Sequence, residues 1–309
     1  MNSLSLLDTA SLSRAEIESL LEQAKKFAVP RSLRLLRTAP GKTVALLFYE
    51  ASTRTRISFE FAAKSIGAVT TIVTANVSSI EKGESLMDTG LTLQALGADC
   101  IVIRHPSAGA PHALARAVRV PVVNAGDGTH EHPTQALLDA YTLLEHRKRL
   151  DGLRVAIVGD ILHSRVTRSN LHLLTKMGAS VVLCGPEELL PGEFGEVVEP
   201  EFRGQVSVER DLDAVLPTVD VVMMLRIQKE RLEGLQVDVA AFVRGYQLNG
   251  ERRAMARKEL LVMHPGPMIR GLEITSDVAD GLGSLITDQV RNGVFVRRAV
   301  LARALAGSS

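Results

Sequence analysis

A chain of 309 residues is longer than one ordinary compact core, which typically holds about 100–200 residues, so two domains are expected. Its 46% hydrophobic and 23% charged residues suit a packed core and exclude a disordered chain. Lys and Arg total 36 against 35 Asp and Glu, and the formal net charge of +1 excludes a general attraction to nucleic acid or to an anionic membrane. Any affinity for anions must be local.

The longest apolar runs, such as Val44 to Phe48 and Val219 to Leu225, fall far short of the roughly 20 residues that a membrane helix needs. The N-terminus lacks a basic segment followed by an apolar stretch, and a cytoplasmic protein is expected. Cys100 and Cys184 lie far apart without CxxC spacing and read as reduced core thiols, not as a disulfide or metal site.

Ser13 stands three residues before Glu16 and is followed by Ile17, Leu20, Leu21, Ala24 and Phe27 at helical spacing, which predicts a capped amphipathic helix. From Lys42 onward β-rich runs at 42–49, 69–74, 100–104 and 120–124 alternate with helical stretches near 53–66, 85–96 and 110–117, the pattern of a parallel α/β sheet. Thr134 to Arg149 reads as a long helix that Asp151-Gly152 breaks. A second series follows, with strands Leu153–Val158, Ser180–Leu183, Val219–Leu225 and Leu260–Met263 and a helix from Arg165 to Met177 stopped by Gly178. An apolar helix from about Leu282 to Leu305 is long enough to pack back on the first lobe.

In an open α/β sheet, ligands bind beyond the carboxyl ends of the strands, and the polar clusters of this chain fall there one after another. Ser52-Thr53-Arg54-Thr55-Arg56 follows the first strand, Arg104-His105 the third, and the stretch Gly126 to Gln135 the fourth. The second series contributes Gly159–Arg165, Arg226–Gln228 and His264–Pro267. One mouth built by both lobes would collect them all.

Residues 52–56 combine free backbone N–H groups at a helix start with hydroxyl and guanidinium donors suited to phosphate. A helix cap with solvated arginines is the bland alternative, and the preceding buried strand favours the anion. In His132-Pro133-Thr134-Gln135, Pro133 suits the first helical position, which puts His132 at the cap and Gln135 one turn along. The positive helix end favours a neutral imidazole able to donate to a carbonyl oxygen, while the Gln135 amide can read an NH2 group. A plain capping histidine competes with that reading. Lys82, in the loop after the second strand, and Arg165 and Arg226 have no role that composition alone assigns.

Two motifs mislead. Gly41-Lys42-Thr43 resembles the end of a P-loop but precedes a strand, and Leu36 occupies the position where that motif needs glycine. His130-Glu131-His132 has the spacing of a zinc amidohydrolase, yet no later His and Asp set and no eightfold βα pattern accompany it, so no metal is expected.

With these residues in view, the chain resembles aspartate carbamoyltransferase catalytic chains, of the aspartate/ornithine carbamoyltransferase superfamily, over essentially its whole length. The segments are FYEASTRTRISFE at 48–60, SSIEKGESLMDT at 78–89, HPTQALLD at 132–139, GDILHSRVTRSN at 159–170, LRIQKERL at 225–232 and HPGP at 264–267. Ala51 departs from the proline usual before STRTR, which removes rigidity from the turn but no ligand.

The resemblance implies an α/β protein of two doubly wound parallel-sheet domains with the active site in the cleft between them. Residues 1–133, completed by the C-terminal helix 289–309, would bind carbamoyl phosphate, and residues 134–288 would bind aspartate. The implied reaction passes the carbamoyl group to the amino group of L-aspartate, in pyrimidine biosynthesis and without a cofactor. Ser52, Thr53, Arg54, Thr55 and Arg104 would hold the phosphate. Thr55 and His132 would polarise the carbonyl, and Gln135 would hold the NH2 group, helped by the backbone near Pro265, Gly266 and Pro267. Arg165, Arg226 and Gln228 would bind the two carboxylates. Family members assemble as homotrimers, in which Ser78 and Lys82 would enter the adjacent chain's site. The resemblance leaves room for a regulatory chain or a dihydroorotase partner. The nearest rival substrate, ornithine, presents an ammonium side chain that calls for acidic partners, whereas Arg226, Lys229 and Arg231 follow the strand here.

Overall fold

The computed structural model describes residues 2–28, 38–74, 84–190, 194–227 and 238–307. The chain divides into two compact units, Met1–Tyr141 with Arg291–Ser309, and Thr142–Val290.

The first unit opens with α1, Arg14–Phe27, capped by the Ser13–Glu16 box, with Ile17, Leu20, Leu21, Ala24 and Phe27 buried. Strands β1 (Thr43–Phe48), β2 (Val69–Thr74), β3 (Cys100–His105) and β4 (Val122–Asp127) run parallel in the order β2-β1-β3-β4. Helices α2 (Thr53–Ser65), α3 (Leu86–Ala95) and α4 (Ala110–Ala117) follow β1, β2 and β3, and α5 (Pro133–Arg147) follows β4. Alternation along the strands supplies two apolar faces. Ala45, Leu47, Ile101, Ile103 and Val122 cluster with Leu93 of α3 and with Leu114 and Ala115 of α4. Val44, Leu46 and Val102 point the other way and are also fully buried. Burial on both faces is what a doubly wound parallel sheet requires.

The fourth β-rich run is expected over 120–124; β4 instead runs Val122–Asp127. The Asp127 carboxylate accepts from Asn124 Nδ2 at 2.8 Å, Gly109 N–H at 2.7 Å and Glu131 N–H at 3.1 Å, which carries order beyond the apolar run. Lys42, from the P-loop-like triplet, pairs with Asp99 at 3.1 Å, and Thr43 begins β1.

In the second unit β5 (Arg154–Val158), β6 (Ser180–Cys184), β7 (Val206–Glu209), β8 (Val221–Met224) and β9 (Leu261–Met263) run parallel in the order β7-β6-β5-β8-β9. Helix α6 (Arg165–Lys176) follows β5. Ala156, Val158, Val182, Cys184, Val222, Met224 and Val262 form one core with Leu212, Val215, Leu248 and Ile274. The strand β7 is absent from the sequence reading, because a four-residue edge strand with half its side chains in water carries no apolar run.

The C-terminal helix begins at Ile286, not near Leu282, since Leu282 is 95% exposed and Gly283 takes φ 86. Its first-unit part is not simply apolar. Arg297 donates from Nη1 to Ser58 Oγ at 2.8 Å, and Arg298 donates to Ser65 Oγ at 2.6 Å and to the Phe27 carbonyl at 2.9 Å. Among the described residues no helix is long and apolar enough to cross a membrane.

Candidate active site

Each sheet changes the direction of its strand order once, and a crevice opens at that point beyond the carboxyl ends of the strands. In the first unit the switch lies between β1 and β3. The turn after β1 delivers Ser52, Thr53, Arg54 and Thr55 to the start of α2, and β3 delivers Arg104 beside it. Tyr49 N–H donates to the Arg104 carbonyl at 2.9 Å, which ties the two strand ends together. Ser52 is the N-cap residue of α2 yet makes no side-chain cap bond, so the bland capping role is not what its hydroxyl does. Thr55 is buried, whereas Thr53 and Arg54 are exposed. Partial desolvation still pulls the Arg54 guanidinium below its ordinary pKa.

Arg104 Nη2 pairs with Glu50 Oε1 at 2.6 Å, and its Nη1 donates to the Ala125 carbonyl at 3.4 Å. Behind this pair lies Arg297, fully buried, whose pKa burial pushes down to about 9 while the charges of Arg54 and Arg104 push the same way and Asp139 pulls it back up. Arg54 and Arg104 thus each repel Arg297, a positive field that a bound anion relieves.

His132 is 4% exposed, directly before Pro133, the first residue of α5, and its carbonyl accepts from Gln135 N–H at 2.9 Å and Ala136 N–H at 3.3 Å. Gln135 donates from Nε2 to Asp139 Oδ1 at 2.9 Å. The rest of the H-x-H motif is committed to the protein: Glu131 accepts from Thr9 and Ala10, and His130 Nδ1 lies 3.1 Å from Asp127 Oδ2. Asp127 raises the His130 pKa above the 6.5 of a free imidazole, against the opposing effect of burial. Burial also acts to raise Asp127, but bonds from His130, Asn124 and Gly109 N–H outweigh it and hold that carboxyl below its ordinary value.

His130 therefore contributes stability that is fully present below about pH 6.5 and is lost as pH rises through its raised folded value. His130→Gln is expected to destabilise the protein more at about pH 6 than at about pH 9, with the wild-type ring titrating above 6.5 by NMR. Equal destabilisation at both pH values would refute the linkage.

In the second unit the switch lies between β5 and β8. Gly159 leaves β5 with φ 123, and a Cβ there would meet Ile227 Cδ1 at 3.3 Å. Asp160 Oδ1 accepts from His163 N–H at 3.2 Å and lies 2.8 Å from His163 Nδ1, which folds the turn toward α6. Ser164 caps that helix by accepting from Thr167 N–H at 3.1 Å, and Arg165 is its first residue. Arg226 follows β8 and is exposed.

After β9 the turn 264–267 is held from below. Gly266 N–H donates to His264 Nδ1 at 2.8 Å, so His264 Nε2 carries the proton and donates to Glu273 Oε1 at 3.0 Å. Glu273 Oε1 also accepts from Ile269 N–H at 2.6 Å, and His264 N–H donates to Gln289 Oε1 at 2.9 Å. Gly266 takes φ 66, and the Gly266–Pro267 bond is cis.

Loops after β1, β3 and β4 thus gather one polar set in the first unit, and loops after β5, β8 and β9 gather another in the second. Ser78, Lys82 and Gln228 lie outside the described residues. Sequence reasoning missed Glu50, Asp139 and Glu273, the carboxylates that hold Arg104, Gln135 and His264. For Asp139, the spacing of four from Gln135 on a helix was the available signal.

Two family models match the chain: aspartate/ornithine carbamoyltransferase, carbamoyl-P binding domain, over residues 5–145, and aspartate/ornithine carbamoyltransferase, Asp/Orn binding domain, over residues 151–304. The aspartate carbamoyltransferase catalytic subunit of Koribacter versatilis is 54% identical over 302 residues, covering 98% of this chain and 97% of that one. Aspartate transcarbamoylase from Trypanosoma cruzi, solved in complex with N-(phosphonacetyl)-L-aspartic acid, is 31% identical with a TM-score of 0.88 and covers 98% of this chain and 96% of its own. Ornithine carbamoyltransferase from Pyrococcus furiosus is 30% identical with a TM-score of 0.90 and covers 99% and 98%. With both of its units matched in sequence and in fold, this chain belongs to the aspartate/ornithine carbamoyltransferase family.

Proposed function

We propose that the chain transfers the carbamoyl group of carbamoyl phosphate to the amino group of L-aspartate, giving N-carbamoyl-L-aspartate and phosphate in de novo pyrimidine biosynthesis. The observation that carries this reading is the group of guanidinium charges beside the β1/β3 switch point, where Arg54 and Arg104 both act on the charge of buried Arg297. Such a cluster fits a small dianion.

In this reading residues 1–133, with the segment 289–309, supply the contacts to the phosphate, and residues 134–288 supply those to aspartate, with Gln135 and the 265–267 backbone turned to the carbamoyl group. Ser52, Thr53, Arg54, Thr55 and Arg104 bind the phosphate oxygens. Thr55 and His132 donate to the carbonyl oxygen, and Gln135 accepts from the NH2 group together with backbone carbonyls near Pro265, Gly266 and Pro267. Arg165, Arg226 and Gln228 bind the aspartate carboxylates. The neutral amine attacks the carbonyl carbon, an N–C bond forms, and charge gathers on the oxygen. The C–O bond to phosphate then breaks with its electron pair, and the leaving phosphate takes the amine proton. Positioning and stabilisation of that oxygen carry the catalysis, because carbamoyl phosphate arrives already activated.

The assembly is a homotrimer, with Ser78 and Lys82 completing the neighbouring chain's site. Apolar exposure on the first unit supports an interface there: the edge strand β2 exposes Val69 and Ile72, α2 exposes Phe61, and α3 exposes Met87 and Leu91. The protein is cytoplasmic, in keeping with two free thiols.

The test is a carbamoyl-transfer assay with aspartate and ornithine in parallel, followed by the native mass. Turnover of aspartate and a trimeric mass are expected. Turnover of ornithine alone would overturn the substrate assignment.

A further inference from the structure

Asp139 lies one helical turn beyond Gln135 on α5 and is fully buried, while Gln135 is 7% exposed. The Gln135 amide donates from Nε2 to Asp139 Oδ1 at 2.9 Å. A carboxylate only accepts hydrogen bonds, so it can face only the NH2 end of an amide. The Gln135 carbonyl oxygen is consequently turned away from Asp139, the sense needed to accept from a substrate NH2 group. An amide free to rotate would meet a donor or an acceptor equally well. The carboxylate is matched by Arg297, a buried cation from the C-terminal helix whose charge Asp139 stabilises against the effect of burial.

We propose that Asp139 is a positioning residue that fixes the sense of the Gln135 amide, so that Oε1 faces the carbamoyl NH2 group and the site selects a donor there. This inference rests on the carbamoyl-transfer reading above. It explains why a carboxylate sits at this depth one turn below a substrate-reading amide: the amide alone carries no information about which of its ends meets the ligand.

The test uses the full chain with carbamoyl phosphate and aspartate. Activity of the wild type must be seen first: its absence refutes the functional reading and the inference together, whereas an active wild type isolates the inference. Gln135→Glu places two carboxylates face to face and is expected to lower kcat/KM for carbamoyl phosphate by about tenfold or more. Adding Asp139→Asn supplies an NH2 donor to the new carboxylate and leaves its other oxygen for the substrate. The Gln135→Glu/Asp139→Asn protein is expected to recover most of the loss, with KM for aspartate unchanged. A merely structural Asp139 predicts the opposite, since a second substitution in the core then adds damage. Both substitutions keep side-chain shape, and thermal melts confirm equal folded fractions. A combined variant no more active than Gln135→Glu, or a Gln135→Glu protein as active as the wild type, overturns the proposal.

Discussion

Replacing Arg54 with alanine is expected to lower kcat for carbamoyl transfer by about a hundred- to a thousandfold, the usual cost of removing one donor from the charge that develops in a transition state. The fold should not suffer. Arg54 is exposed at the first turn of α2, and its charge pushes down the pKa of buried Arg297, so its removal relieves repulsion inside the first unit. The thermal midpoint without ligand is therefore expected to equal or exceed that of the wild type, while the upward shift that inorganic phosphate gives the wild type shrinks. A kcat within about threefold of the wild type, in protein with the expected midpoint, would remove Arg54 from the chemistry.

Arg297→Ala should act in the reverse manner, on stability first. The side chain is fully buried, donates to Ser58 Oγ at 2.8 Å and lies 5.1 Å above the Phe59 ring. Its loss removes the buried positive charge that the Asp139 carboxylate stabilises and the donor to Ser58 Oγ. Breaking a buried charge pair by deleting one partner typically costs about 3–5 kcal/mol, and a loss of that size in denaturant unfolding is expected. A cost below about 1 kcal/mol would mean that solvent or another group already satisfies Asp139.

These two arginines also mark what the sequence discloses and what it withholds. The position of Arg54, at the start of a helix directly after β1, was legible because an unbroken apolar run announces the strand and the polar cluster marks its end. The strands β1, β3, β5 and β6 were legible for a related reason, since burial on both faces writes itself as an unbroken apolar run. Arg297 and Arg298 were not. Arginine is almost always a surface residue, and only the tertiary fold brings these two to Ser58 and Ser65, which lie 239 and 233 residues away in the chain. Glu50 is likewise invisible as the partner of Arg104, since 54 residues separate them and a sheet register joins them. The fourth strand runs past its expected end at 124 because Asp127 extends order with side-chain bonds that no apolar pattern announces.

The discontinuous first unit has a consequence for how the protein is made. Its core includes residues from Arg291 onward, whereas the second unit is one unbroken stretch, Thr142–Val290. On the ribosome the second unit can close around its own five-stranded sheet while the first, translated earlier, still waits for Arg297 and Arg298 to reach Ser58 and Phe27. Order of synthesis and order of completion are thus inverted, and the crevice at the β1/β3 switch point is among the last parts of the molecule to mature.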